Sequence, residues 1–489
     1  MTVSKNDLLA GLPPEWPHDA LPEIRRRLRQ SGQKVVVLDD DPTGTQTVHD
    51  IPVLTEWSVE SLRAELANDL PACYILTNSR ALPLPQAEAL NAAIGRNLCD
   101  AGRAVGRPFA VISRSDSTLR GHFPGEVDAL ADAMREVQGV ERNTQYATCR
   151  PPYLLIPAFL AGGRYTINDV HYVAYGDDLV PAGETEFARD AAFGYRASNL
   201  CAWVEEKTRG AIRAGDVMSI TIEDIRVGGP ERVRSRLMVA RPDGACVVNA
   251  ASERDLEVVA LACLMAEAEG SRFLYRTAAS FARARAGIAP KPLLTARDLE
   301  SLASCCNASA GGLIIVGSYV PKTSGQLDAL LRRGVNAIEV SVEALLDDAA
   351  RSGEVARCAQ AAEALLASGC DVVIYTSRRL ISGADAATSL AIGRRVSDSL
   401  VAIVRSLAAQ PRYVLAKGGI TSSDIATKGL DVRRAMVLGQ LLPGVPVWRL
   451  GSESRYPGTI YVVFPGNVGG PDALAQAYDL LRRDPSLAQ

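Results

Sequence analysis

The sequence predicts an α/β protein: two Rossmann-like domains with largely parallel sheets and an active site in the cleft between them. Three observations carry that prediction. At 489 residues the chain exceeds the size at which one hydrophobic core keeps growing, so two domains are the default. Short β-branched or apolar runs alternate with longer stretches of helical pattern, the rhythm of βαβ units around a parallel sheet. That rhythm stops and restarts once.

In chain order, the first series of strands is expected at Val35 to Leu38, Cys73 to Thr77, Phe109 to Ser113, Tyr153 to Pro157, Cys246 to Val248 and Phe273 to Tyr275. The second is expected at Leu313 to Val316, Ala337 to Val340, Val372 to Tyr375, Tyr413 to Leu415 and Ile460 to Phe464. Between the series, Ala286 to Gly312 carries GIAPKPLL and then an Ala/Ser-rich stretch, a linker composition. Domains of 34–288 and 312–481 follow. Gly162 to Gly244 is less regular, with a GGRYTINDVHYV loop and charged amphipathic pieces, and reads as an insertion or a lid.

The 53 basic and 56 acidic residues leave a net charge of −3, which offers no global handle to nucleic acid or an anionic membrane, and neither is expected as a partner. No apolar run approaches the roughly 20 residues that span a bilayer, and the amino terminus lacks the apolar core of a signal peptide. A cytoplasmic location is expected. Ten cysteines are scattered singly except for Cys305 and Cys306, without CxxC pairs or Cys/His ligand spacing, so no resident metal site is predicted. Most are expected as small buried hydrophobes.

Three strand ends in the first half carry compact polar clusters: Asp39, Asp40, Asp41 and Thr43; Asn78, Ser79 and Arg80; and Arg114 through Gly121, RSDSTLRG. The carboxyl ends of parallel strands are where open α/β sheets hold ligands. Carboxylates accept hydrogen bonds from sugar hydroxyls or take a proton from one about to attack, and arginine matches a carboxylate with a planar fork. Taken singly, each cluster reads more readily as a turn, a cap or an ion pair than as a ligand site. Their convergence on successive strands favours a small, hydroxylated, acidic ligand.

Three strand ends in the second half are rich in glycine and small hydroxyls: LIIVGSYVPKTS from Leu313, YVLAKGGITSSD from Tyr413 and YVVFPGNVGGPDAL from Tyr461. Each runs through glycine toward a helix start, with Pro321 and Pro471 placed for the first helical position. Helix starts and glycine-lined backbone favour phosphate, and Thr421 can offer its hydroxyl to phosphate or to magnesium. Neither a Walker A loop nor a GxGxxG fingerprint is present. Lys417 reads equally as a phosphate contact and as a snorkelling surface lysine.

At these residues the chain resembles the four-carbon acid sugar kinase family. The resemblance rests on Asp40-Asp41-Pro42-Thr43-Gly44, Asn78-Ser79-Arg80, DSTLRG from Asp116 to Gly121, GGxT from Gly418 to Thr421 and PGNVGG from Pro465 to Gly470, in that order. It implies an amino-terminal sugar-acid-binding domain, a carboxy-terminal nucleotide-binding domain, and phosphorylation of threonate, erythronate or 3-oxo-tetronate with ATP and Mg2+. The implied substrate residues are Asp40, Asp41, Arg80, Arg114, Ser115, Asp116 and Ser117, with Asp41 or Asp116 catalytic. The implied nucleotide residues are Ser318, Gly418, Gly419, Ile420, Thr421, Gly466 and Asn467. Gly317-Ser318-Tyr319-Val320 stands where the family often has Gly-Ser-Cys-Ser, and Arg114 lies near a position that is often lysine. The extra length leaves a branched acid such as 3-oxo-isoapionate open as the substrate, and a homodimer is left open as well. From other classes, a nicotinamide-dependent oxidoreductase and a non-catalytic sugar-acid-binding protein stand as rivals.

Overall fold

The computed structural model describes residues 2–138, 149–303, 310–318, 320–378, 386–466 and 468–482. The chain forms two compact units, Met1–Gly44 with Glu56–Pro290, and Thr45–Thr55 with Lys291–Gln489. The second unit is therefore discontinuous: Thr45–Thr55, which lies within the expected first range of 34–288, groups with it rather than with the first unit.

Among the described residues the first unit is built on seven parallel strands in the order Met218–Ile220, Ala245–Val248, Tyr153–Ile156, Leu274–Thr277, Phe109–Arg114, Lys34–Asp39 and Ala72–Leu76. All six residues of Lys34–Asp39 are buried, as expected for an apolar strand covered on both faces. From this strand the chain passes first to Ala72–Leu76 on one side and then to Phe109–Arg114 on the other. That is a topological switch point. Register sets Leu76, Asp39, Arg114 and Thr277 side by side at the carboxyl ends.

A second, four-stranded antiparallel sheet in this unit has the order Val3–Ser4, Asp178–Pro181, Val170–Tyr175, Arg164–Ile167. The GGRYTINDVHYV segment, expected as a loop, is thus a hairpin. Its tip is Asn168 and Asp169, at φ 51° and 62°. Two consecutive left-handed residues give the twist that suits a two-residue hairpin turn, and Asn and Asp tolerate that conformation best after glycine.

Among the described residues the second unit holds eight strands. Ile51–Leu54, Arg434–Leu442, Val445–Leu450 and Ile460–Phe464 pair antiparallel, and Tyr413–Lys417, Leu313–Val316, Val372–Thr376 and Asn336–Val340 continue from Ile460–Phe464 in parallel. Alternate residues Ile314 and Val316, Tyr413 and Leu415, and Ile460, Val462 and Phe464 face one core. Leu327 and Leu330 of helix Pro321–Leu331 and Leu474 and Ala477 of helix Ala473–Leu481 close it. Thr45 is anchored in this unit by Trp448, whose Nε1 donates to Thr45 Oγ1 at 3.0 Å. Among the described residues, no helix is long and apolar enough to cross a membrane.

Candidate active site

Backbone hydrogen bonds extend the first unit's ladder past its strand ends and so fix where the polar clusters begin. Thr77 N donates to Asp39 O at 2.8 Å, Asp40 N to Arg114 O at 3.3 Å, and Ser115 N to Thr277 O at 2.9 Å. Asp39 and Arg114, paired in register, are also joined through their side chains, Arg114 Nη1 to Asp39 Oδ1 at 3.0 Å. Both are almost wholly buried. Burial pushes the Asp39 carboxyl up to about 7 against the pull of Arg114, and the charges of Asp40 and Asp41 add to the rise. Asp39, which the DDxTG match leaves outside the implied set, is thus a buried structural partner of Arg114. Gly44 packs directly on it: a Cβ there would lie 1.9 Å from Asp39 Oδ2.

Arg80 gathers the remaining acids. Asn78, at φ 55°, turns the chain into the short 3-10 turn Ser79–Ala81, which presents the guanidinium to three carboxylates. One nitrogen pairs with Asp41 Oδ2 and lies 3.8 Å from Asp40 Oδ1, while the other is 3.2 Å from Asp116 Oδ1. Asp116 is also held by Arg120 Nε at 2.7 Å and by the Thr118 hydroxyl. Burial alone would raise the Asp116 carboxyl, but Arg80, Arg120 and Thr118 outweigh it and hold the group far below the ordinary carboxylate range. Asp41 is lowered in the same way, by Arg80 and by Thr43, whose N–H donates at 2.9 Å. Both acids are therefore ionised acceptors at neutral pH.

Asp40 is held differently. Its Oδ2 accepts from Ser115 Oγ at 2.6 Å, while its Oδ1 is buried without a hydrogen-bond donor. Gly121 permits this arrangement: it sits at φ 121°, and a Cβ would come within 2.7 Å of Ser115 Oγ. Arg80 and Arg114, the arginines among the implied substrate residues, are each already engaged by aspartates.

Four further residues stand around these polar clusters and were not singled out in the sequence. Arg276, in mid-strand, is buried and donates to the carbonyls of Asp116 and Arg120 at 3.1 and 2.9 Å. His171 donates from Nε2 to Ser117 O at 2.7 Å, and its Nδ1 lies 2.9 Å from Thr166 Oγ1. Burial pulls its pKa down to about 4, so the ring is neutral. Tyr195 donates to Thr118 O at 2.7 Å. Glu126, in the first turn of helix Gly125–Gln138, accepts from Asn91 at 3.3 Å. Burial first, and then the charge of Asp40, push it up to about 7.

A carboxyl raised in the fold stabilises it fully below its unfolded pKa, and that contribution is lost as pH climbs to the folded value. Glu126→Gln should therefore gain stability relative to wild type between about pH 5 and about pH 7. Urea titrations at both pH values check this; a difference that is flat or of opposite sign refutes it.

In the second unit, Ser318, Gly418, Thr421 and Gly466 converge. Thr323 Oγ1 lies 3.3 Å from Ser318 Oγ and 3.4 Å from Gly466 O. At Gly317 a Cβ would come within 2.3 Å of Thr421 Oγ1, and Gly418, at φ 120°, would press on both Ser318 and Thr421. Gly419 opens the six-residue helix Gly419–Asp424, and Ile420 is exposed beside it, at 62%. Asn467 and Tyr319 lie outside the described residues. Pro321 occupies the first turn of its helix, whereas Pro471 precedes the Asp472 cap. Lys417 is not a surface lysine: it is fully buried, donates to Pro465 O at 2.6 Å and Gly466 O at 3.2 Å, and lies 4.2 Å from the Phe464 ring centroid. Burial pulls its pKa down to about 7.

A family model described as a sugar-binding N-terminal domain matches residues 35–285, and one described as a nucleotide-binding C-terminal domain matches residues 313–474. The chain is 28% identical over 435 residues to D-threonate kinase of Salmonella typhimurium, covering 84% of this chain and 90% of that one. It is 26% identical over 381 residues to 3-oxo-tetronate kinase of Pseudomonas fluorescens, covering 76% and 77%. Solved structures from Salmonella typhimurium and Haemophilus influenzae share the fold at TM-scores of 0.63 and 0.61, with 16% and 17% identity over 91% of this chain and 98% and 100% of theirs. Sugar-binding and nucleotide-binding domains matched in one chain, together with relatives named as sugar-acid kinases, place it among the sugar-acid kinases. The chain belongs to the four-carbon acid sugar kinase family.

Proposed function

We propose that the protein transfers the γ-phosphoryl group of ATP to a terminal hydroxyl of a four-carbon or branched sugar acid such as 3-oxo-tetronate, threonate or erythronate. The observation that carries this reading is the Arg80-centred cluster of Asp40, Asp41 and Asp116 at a switch point of the parallel sheet, inside the region matched as sugar-binding. Phosphoryl transfer needs an oriented acceptor and charge stabilisation rather than covalent help. Asp41 or Asp116, both ionised, orients the acceptor hydroxyl and takes its proton. Asp40 Oδ1 is left to accept from a second sugar hydroxyl, and Arg114, Ser115 and Ser117 hold the wall that positions it.

Ser318, Gly418, Gly419, Ile420, Thr421 and Gly466, with Asn467, are the proposed nucleotide contacts. The close approach at Gly317 and Gly418 leaves bare backbone where phosphates would be received. Bound ATP with magnesium supplies the γ-phosphoryl group. Among the described residues no group of three or more His, Cys, Asp or Glu is arranged to hold a metal; magnesium commonly rides on substrate phosphates and keeps several waters.

The test is ADP formation by purified protein supplied with ATP, magnesium and, in turn, threonate, erythronate, their 3-oxo forms and branched analogues. Acid-dependent ADP release with at least one of them is expected. No release with any, or NADH oxidation in its place, overturns the reading.

A further inference from the structure

The cations around RSDSTLRG are unequally compensated. Arg80 and Arg114 are held by aspartates, and Arg276 by two carbonyls. Arg164 is held least. It opens the strand Arg164–Ile167 and its Nη1 donates to a single carbonyl, that of Gly162, while its Nε, like those of Arg114 and Arg276, is buried without a hydrogen-bond partner. Among the described residues no carboxylate forms an ion pair with it; Asp116 and Glu186 act on it from a distance, and Glu186 already accepts from Tyr175 OH at 2.5 Å.

Its neighbour is a second cation. The Arg164 guanidinium lies 5.8 Å from the Phe187 ring centroid, and that of Arg120 lies 5.2 Å from the same centroid. Arg120 spends its Nε on Asp116 and reaches Asp190 only at 3.5 Å. A ring face favours each guanidinium, but two like charges gathered on one ring repel unless an anion joins them. Burial and the charge of Arg120 together lower the pKa of Arg164, the cost expected for a cation waiting for its counter-ion. Two planar forks match a carboxylate bidentately, which lysine does not. A carboxylate placed here would stand beside Asp116, with the sugar hydroxyls directed at the acids around Arg80.

We propose that Arg164 and Arg120, both laid on the Phe187 ring, form the seat of the substrate carboxylate. The inference rests on the sugar-acid reading above. It makes the antiparallel insertion a part of the substrate site, and it explains how an acid would be chosen over the corresponding neutral polyol.

The test compares wild type, Arg164→Met and Arg164→Lys with D-threonate and D-erythronate. In Arg164→Met the KM for the acid should rise by at least about 30-fold while the KM for ATP stays within about twofold, and Arg164→Lys should recover part of the loss. Thermal stabilisation by either acid without nucleotide should be present in wild type and lost in Arg164→Met. If wild type turns over neither acid, the kinase reading fails for them, and the stabilisation still judges the seat. An unchanged acid KM, unchanged stabilisation in Arg164→Met, or no stabilisation of wild type overturns it.

Discussion

An Asp116→Asn variant is expected to lose a factor of about 10²–10⁴ in kcat with the sugar acid, the range that a positioned acid or base contributes. The substitution keeps the shape of the side chain and one carbonyl oxygen but removes the charge between Arg80 and Arg120. Arg80 retains Asp41 and Arg120 retains Asp190, so the fold should persist and the loss should fall on turnover. Steady-state ADP release together with a melting curve separates the two. A loss below about tenfold, equivalent to about 1.4 kcal/mol of barrier, removes Asp116 from the proton-accepting role.

Gly44→Ala acts through stability instead. The new methyl would stand 1.9 Å from Asp39 Oδ2, and that carboxylate cannot swing into water, because the side chain is 1% exposed and bonded to Arg114. Either Asp39 leaves Arg114, stranding two buried polar groups, or the strand end moves and disturbs Asp40 and Asp41. Separating a buried pair costs about 3–5 kcal/mol, and a cost near the lower end is expected here. Urea denaturation at neutral pH measures it. A cost below about 1 kcal/mol shows that the strand end gives way easily.

Much of this site could be read from the sequence because it is built at strand ends. Val35 to Leu38 and Phe109 to Ser113 are apolar runs that stop abruptly at polar clusters, and parallel register then brings Asp39 and Arg114 together. The antiparallel strands were harder to read. Val445–Leu450 lacks clean alternation because both of its faces are largely buried, Arg434–Leu442 is interrupted by register shifts around Gly439 and Gln440, and the Asn168-Asp169 turn is a hairpin signal inside a segment that reads as a loop. Arg276, Arg164 and Phe187 gave no signal at all. Each is a single residue without a local pattern, and its role arises only when segments distant in the chain meet. The surface alternative for Lys417 fails for the same reason: its partners are carbonyls some fifty residues on.

The Thr45–Thr55 excursion has a consequence for anyone dissecting this enzyme. No single cut yields the nucleotide-binding unit, because a fragment starting at Lys291 leaves behind Ile51–Leu54, the strand that covers Arg434–Leu442, and the Thr45 hydroxyl that satisfies the Trp448 indole. The bared edge would offer its unpaired amides and carbonyls to any other chain, which is how truncated domains swap and precipitate. A chimera that exchanges nucleotide-binding halves between relatives must therefore move two pieces of gene, the shorter beginning one codon after the glycine that packs on Asp39.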